Sequence, residues 1–380
     1  MMRFSKVKAL LLPVVVVWTS IAAAQAPDVK SDLAANAALQ YWQAFAHMPT
    51  LNKEQEKILA EWSTVSLDDP AVQKLVAGPR TSLMYLYRGA KENRCDWGLD
   101  YSDGVSLLLP HLAKARDLAR LAALHGRYEF ERGNKRALRD DAMGIMALAR
   151  HVARDPILIS ILVGYLIEDT AIDLVAPYVP QMKAPFPQAL TMYESLPKRA
   201  TVQQTLPIEK KWMAGYVIRE LRKAEQAKKG SWRELWQMLG PDVPDAVKQV
   251  GTVEEAINLT EGLLPRYDEL EKMIGLPREE FDAQYPDFKL KASAANPLAG
   301  VLLPEFTKVL AKERRNQARL ALLLAAIAVA QDGPEKLKEI TDPFGTGPFE
   351  YRALDGGFEL KSKLQFEGQP VTLTFGQRKK

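Results

Sequence analysis

Three carboxylates, Asp96, Asp100 and Asp103, stand four and three residues apart around Trp97-Gly98 and just before Gly104. Oxygen ligands at close spacing beside a glycine turn are what a calcium loop requires. The EF-hand pattern is absent, because no glutamate closes the loop at the required distance. The favoured reading makes these side chains turn or helix caps. Cys95 opens the same stretch and His111 follows it, so a thiol and a base could form a nucleophilic pair. No third partner or oxyanion donor is evident, and cysteine is commonly a small buried hydrophobe. Trp97, Tyr101 and Arg116 could line a groove for a peptide or glycan, although aromatics at such places more often belong to a core. Glu168 and Asp169 end a charge-free run. Burial would raise the pKa of either and make it a candidate acid or base. The competing expectation pairs one of them with an arginine from the two preceding helices.

The remaining chemistry is thin. His47, His111, His125 and His151 are scattered, with no pair at metal-ligand spacing on one helix. His125 lies on an apolar stripe and reads as a satisfied core histidine. No Gly-x-Ser-x-Gly setting and no phosphate-cradling glycine loop occurs. The single cysteine rules out an internal disulfide and cysteine-pair zinc sites. The sequence therefore implies no metal and no cofactor.

These residues must be positioned by helices. Pro110 opens a pattern in which Leu112, Ala115, Leu118, Ala122, His125 and Tyr128 recur at threes and fours, with Arg116, Arg120, Arg127 and Glu131 outside the stripe. Gly133 stops it. Leu138, Ala142, Ile145, Ala149 and Val152 repeat the pattern, and the short turn predicts an antiparallel hairpin. Asp155-Pro156 then predicts an N-cap and a first helical position. Residues 157–167 carry no charge, so this third helix should be covered on several sides. It spans roughly 16 Å at 1.5 Å per residue, too short for a bilayer.

The expected order is a signal peptide at 1–24, a helical domain at 25–176, a proline-rich linker at 177–201, a second helical domain at 202–340 and a small β meander at 341–380. Arg3, Lys6 and Lys8, an apolar run and Ala22-Ala23-Ala24 before Gln25 carry the signal reading; the alternative is an uncleaved N-terminal anchor. Pro177, Pro180, Pro185 and Pro187 mark the linker. Earlier helices are expected at 32–47, 53–62 and 71–88. Later ones are expected at 202–228, 231–238, 253–274 and 277–284, with a last helix after Pro304 reaching Ala330. Asp355-Gly356-Gly357 and Glu367-Gly368-Gln369 separate three β-rich runs. The fold class is thus mainly α, helical hairpins or a bundle, with a C-terminal antiparallel sheet.

Lys and Arg total 51 against 47 Asp and Glu, and loss of the leader lowers the net charge from +4 to about +1. No nucleic-acid footprint follows from so small an excess.

The stretch Cys95-Asp96-Trp97-Gly98, Leu109-Pro110-His111-Leu112, Arg116 and Leu118-Ala119-Arg120, continued by Ala149-Arg150-His151, Asn296-Pro297 and Asp342-Pro343-Phe344-Gly345, resembles an uncharacterised family of exported bacterial helical proteins. The resemblance covers most of the mature chain and implies export, but no activity. Two local likenesses accompany it. The hairpin around Gly126 and Gly133 is similar to a tetratricopeptide repeat, with Ala137 one position early and no tandem copy. The Asp-Pro-Phe-Gly turn and its strands are similar to the end of the major pseudopilins, whose N-terminal helix and cleavage signature this chain lacks.

The expected function is a non-enzymatic binding or scaffold protein of the cell envelope, extracytoplasmic after cleavage. Its partner would be a protein, peptide or glycan, and its mature chain would have no membrane span. The alternative is an extracytoplasmic hydrolase or lyase using carboxylates near residues 95–103. Convergence of Asp96, Asp100 and Glu168 in one open cleft would favour the enzyme.

Overall fold

The computed structural model describes residues 35–181, 191, 193–227, 230–241, 243–303 and 305–376. The expected signal at 1–24, Pro185 and Pro187, Lys228-Lys229 and Pro304 lie outside the described residues. The architecture is mainly helical with one small C-terminal sheet. In chain order the helices are α1 (Ala37–Ala46), α2 (Lys53–Ala60), α3 (Pro70–Ala77), α4 (Arg80–Gly89), α5 (Pro110–Glu131), α6 (Lys135–Val152) and α7 (Leu158–Val175). There follow α8 (Leu206–Glu209), α9 (Gly215–Gln226), α10 (Glu234–Met238), α11 (Asp245–Lys248), α12 (Val253–Glu261), α13 (Leu264–Ile274), α14 (Arg278–Ala295), α15 (Ala299–Leu302) and α16 (Phe306–Asp332).

Helices α5 and α6 form the expected hairpin. Asn134 caps α6 by accepting from the Ala137 amide at 3.2 Å, and Gly133 takes the left-handed backbone that ends α5. Helix α7 packs across both. Gly164 is the point of closest approach between α7 and α6, since a Cβ there would stand 2.8 Å from both the Ala149 carbonyl oxygen and the Ala153 Cβ.

Several boundaries differ from the sequence reading. Residues 71–88 form two helices, because Gly78-Pro79 breaks the run. Residues 253–274 also split, with Pro265 in the first turn of α13. Helix α14 runs on past Pro286 to Ala295. Burial of Phe281, Tyr285, Phe288 and Ala292 along one face outweighs the backbone hydrogen bond that proline cannot make. Asp155-Pro156 does not cap α7. The helix starts at Leu158, whose amide donates to Glu209 Oε1 at 2.7 Å. The charge-free run is covered on several sides, as expected, with Ile157, Ile161 and Ile167 buried; Ile159, 45 % exposed, and Leu166, 55 % exposed, mark its one open side.

Two apolar clusters result. One joins α1–α7, the second half of α16 and the sheet; the other joins residues 202–310. Helix α7 gives Ile161 and Tyr165 to the second cluster and Val163 and Ile167 to the first. Helix α16 divides in the same way, Phe306 and Leu310 on one side and Leu322 and Leu323 on the other.

The sheet is a meander of β1 (Glu350–Leu354), β2 (Gly357–Phe366) and β3 (Gln369–Phe375), antiparallel throughout and docked on α16. Its pin is Asp342, fully buried in the Asp-Pro-Phe-Gly turn. The carboxylate accepts from the Ser362 hydroxyl at 3.0 Å, the Lys363 amide at 2.6 Å and the Phe344 amide at 3.0 Å. Ser362 and Lys363 sit where β2 shifts register, so the carboxylate satisfies groups that the ladder leaves free. Asp342→Ala is expected to lower stability by about 3 kcal/mol, read as a reduced urea midpoint, because it strands buried donors.

Candidate functional site

The Cys95–Asp103 stretch is held at both ends. Asn36, the N-cap of α1, donates from Nδ2 to the Asp96 carbonyl at 2.9 Å, and its Oδ1 accepts from the Asp96 amide at 2.9 Å. The Ala37 amide adds a bond to the Arg94 carbonyl at 2.8 Å. Beyond the loop, Gly104 has φ +54° and lies against Tyr216 of α9, where a Cβ would come within 2.1 Å of the ring. Only glycine meets both conditions.

Four of the sequence candidates meet around one residue that sequence reasoning had assigned to a helix cap. Asp155 accepts from the Tyr101 hydroxyl at 3.0 Å, and its other oxygen lies 3.1 Å from His111 Nε2. The Trp97 ring stacks on His111 with centroids 4.5 Å apart, and its indole N–H donates to the His151 carbonyl at 3.3 Å. His151 Nδ1 and the Tyr41 hydroxyl are 2.8 Å apart. The Cys95 thiol lies within the field of Asp155; burial first, and then that carboxylate, push its pKa well above the ordinary range. Burial thus disfavours the thiolate that a Cys95-His111 nucleophile would need. His111 is itself fully buried.

A second Tyr–Asp–His set closes the other end of the α5–α6 hairpin. Tyr87 donates to Asp141 Oδ1 at 2.5 Å, and His125 Nδ1 lies 2.7 Å from Asp141 Oδ2. Burial would lower the His125 pKa, but the hydrogen bond and charge of Asp141 outweigh it and the net shift is upward. His151 moves the opposite way. Burial, assisted by Arg154, lowers its pKa to about 4. Its folded value lies below the unfolded one, so the unfolded chain binds the extra proton and stability falls as pH drops from about 6.5 towards 4. The loss should reach about 3 kcal/mol and be absent in His151→Gln, as chemical denaturation at pH 7 and pH 4 would show.

The other candidates do not converge on this place. Asp96 is exposed, accepts from the Gly98 amide at 3.0 Å and faces Arg94 at 3.6 Å. Asp100 caps the turn at Ser102 with a 2.9 Å bond, which holds its carboxyl below the usual range. Both carboxylates thus act as turn caps. Arg116 is half-buried, with no ion pair or hydrogen bond among the described residues.

Glu168 and Asp169 belong to a charged seam between α7 and α16. Glu168 is 2 % exposed and lies 3.3 Å from Arg199 Nε and 3.7 Å from Arg150 Nε. Burial raises its pKa against the pull of both arginines. Asp169 pairs with Arg315 at 2.8 Å and Arg319 at 2.7 Å, and accepts from Asn316 at 3.1 Å. Glu313 accepts from the Tyr165 hydroxyl at 2.7 Å and the Val202 amide at 3.0 Å. Arg150 is the arginine from the preceding hairpin that the sequence analysis expected as a partner.

No family model, curated protein or solved structure matches the chain. Among the described residues no three His, Cys, Asp or Glu side chains are grouped to hold a metal ion, and no helix is long and apolar enough to cross a membrane. Sequence reasoning missed Asn36, Tyr41, Asp141 and Asp155. Each acts across 16 to 110 residues of chain, where local periodicity carries no signal.

Proposed function

We propose that the chain is a non-enzymatic binding or scaffold protein of the cell envelope, exported by the 1–24 leader. One observation carries the reading: four of the five carboxylates singled out for chemistry are already occupied, and the fifth, Asp103, stands exposed on the turn away from them. Asp96 and Asp100 cap exposed turns, Glu168 is sealed between two arginines, and Asp169 is held by two more. An acid or base must reach a proton on the substrate. A side chain 2 % exposed and flanked by two guanidinium groups has no such reach as placed. Convergence of Asp96, Asp100 and Glu168 in one cleft would have favoured the hydrolase or lyase alternative, and they share no partner.

The resemblance to exported helical proteins supports the compartment. So does the basic-apolar-small order of the first residues. Expression of the full chain in a Gram-negative host, followed by fractionation and intact-mass measurement, tests both parts. The reading expects a mass beginning at Gln25 in the extracytoplasmic fraction, with a partner captured by cross-linking. A cytoplasmic product retaining Met1 would sink the export claim. Turnover of a peptide, ester or glycoside panel that is lost on Asp96→Asn or Asp100→Asn would sink the non-enzymatic one.

A further inference from the structure

A groove of about 760 Å³ opens between the Trp62–Thr64 turn, the end of α7, the middle of α16 and β3. Its walls include Arg127, Arg315, Arg319, Asp173, Thr372 and Thr374. The volume is that of a small-molecule or short-peptide site. The three arginines are not equivalent. Arg319 is clamped between Asp169 and Asp173. Arg315 bonds Asp169 and lies over the Phe366 ring at 5.3 Å. Arg127 has no carboxylate partner. Sequence periodicity placed it off the apolar stripe of α5, yet it is only 7 % exposed. Its Nη1 donates to the Trp62 carbonyl at 2.9 Å, its Nε is buried with no acceptor, and its remaining donors meet none among the described residues.

A buried guanidinium with most of its donors idle is costly, and such groups are ordinarily paired. The two aspartates near the groove balance Arg315 and Arg319, and Glu359 is paired with Arg352. Arg127 forms no ion pair among the described residues; the Glu131 carboxylate, one turn on in α5, acts on it from a distance and accepts from the Tyr178 hydroxyl. We propose that this groove is a binding site for a ligand carrying a carboxylate, which Arg127 receives through its two terminal nitrogens. Two parallel N–H donors match a carboxylate edge. A phosphate dianion fits less well, since Asp173 and Glu359 also line the walls and would repel the second charge. Thr372 and Thr374 offer hydroxyls on the opposite wall for the rest of the ligand. This inference rests on the binding reading above and gives it a ligand class.

The test uses the full chain, 15N-labelled, with the Arg127 Nε–H resonance assigned by its loss in Arg127→Met. Acetyl-dialanine, its C-terminal amide and inorganic phosphate are titrated separately, and the peptide is checked afterwards for hydrolysis. The carboxylate form should move the Arg127 resonance saturably and raise Tm, while the amide and phosphate do neither. Equal effects of acid and amide, a larger effect of phosphate, or no effect of any probe would overturn the site. Arg127→Met should leave the ligand-free Tm unchanged or higher, because it removes an unpaired buried charge. A fall of Tm by more than about 5 °C would instead assign Arg127 a purely structural role and overturn the proposal. Hydrolysis of the bound peptide would leave the carboxylate site standing and sink only the non-enzymatic reading.

Discussion

Glu168→Ala is expected to destabilise the protein by about 3–5 kcal/mol, the range for removing one partner of a buried charge cluster. The reason is what remains. Arg150 and Arg199 face Glu168 from either side, and both are largely buried with Nε atoms that find no other acceptor. Arg150 keeps its bond to the Pro197 carbonyl at 2.8 Å and its place over the Tyr193 ring, and Arg199 its place over Tyr165. None of these contacts supplies a negative charge. The attraction itself is not the source of stability, because ionising three groups away from water costs about as much as their pairing returns. Replacing Glu168, Arg150 and Arg199 together by Met should therefore recover most of the loss. Urea midpoints for the single and triple variants would measure it. A single variant within about 0.5 kcal/mol of wild type would mean that the seam is hydrated and Glu168 is free to do chemistry.

Gly164→Leu should cost about 3 kcal/mol or more, by overpacking at the α6–α7 crossing. Even Gly164→Ala is expected to destabilise. Alanine gains about 1 kcal/mol over glycine in a helix interior. Against that gain stand two contacts at 2.8 Å, one with a backbone oxygen that cannot rotate away. The clash wins because relief requires α6 and α7 to part along their length. Gly300, in the short α15, supplies the control: a Cβ there would meet nothing within 4 Å. Gly300→Ala should be neutral or slightly stabilising. If both alanine variants behave alike in thermal melts, the close approach of α6 and α7 is wrong.

Much of the fold was legible because helix and strand patterns are local. The stripes from Leu112 to Tyr128 and from Leu138 to Val152 became α5 and α6, and the turns at Asp355-Gly356 and Glu367-Gly368 separate the three strands. The break at Gly78-Pro79 was also present in the sequence and was outvoted by periodicity on both sides. Contacts between distant residues were another matter. Glu209 caps α7 from 51 residues away, and Asp155 serves Tyr101 and His111 instead of the next helix. Nothing in the spacing announces either. Arg127 shows the same limit from the other side. Periodicity assigns a residue to a face of its own helix, but whether that face meets water depends on Trp62 and β3.

The candidate site divides likewise. The sequence reading paired Cys95 with His111 and set Trp97 and Tyr101 with Arg116; the first four lie together, and Arg116 stands apart. Asp155, which bonds Tyr101 and faces His111, was not foreseen. Glu168 was weighed as acid or ion-pair partner; it lies buried between two arginines.

Helices α7 and α16 each contribute to both apolar clusters, and the charged seam runs between them. On this account residues 35–380 unfold as one cooperative body. Differential scanning calorimetry of the full chain should show a single transition whose van't Hoff and calorimetric enthalpies agree, lowered as a whole by Glu168→Ala. Two transitions, one of them untouched by that substitution, would contradict it.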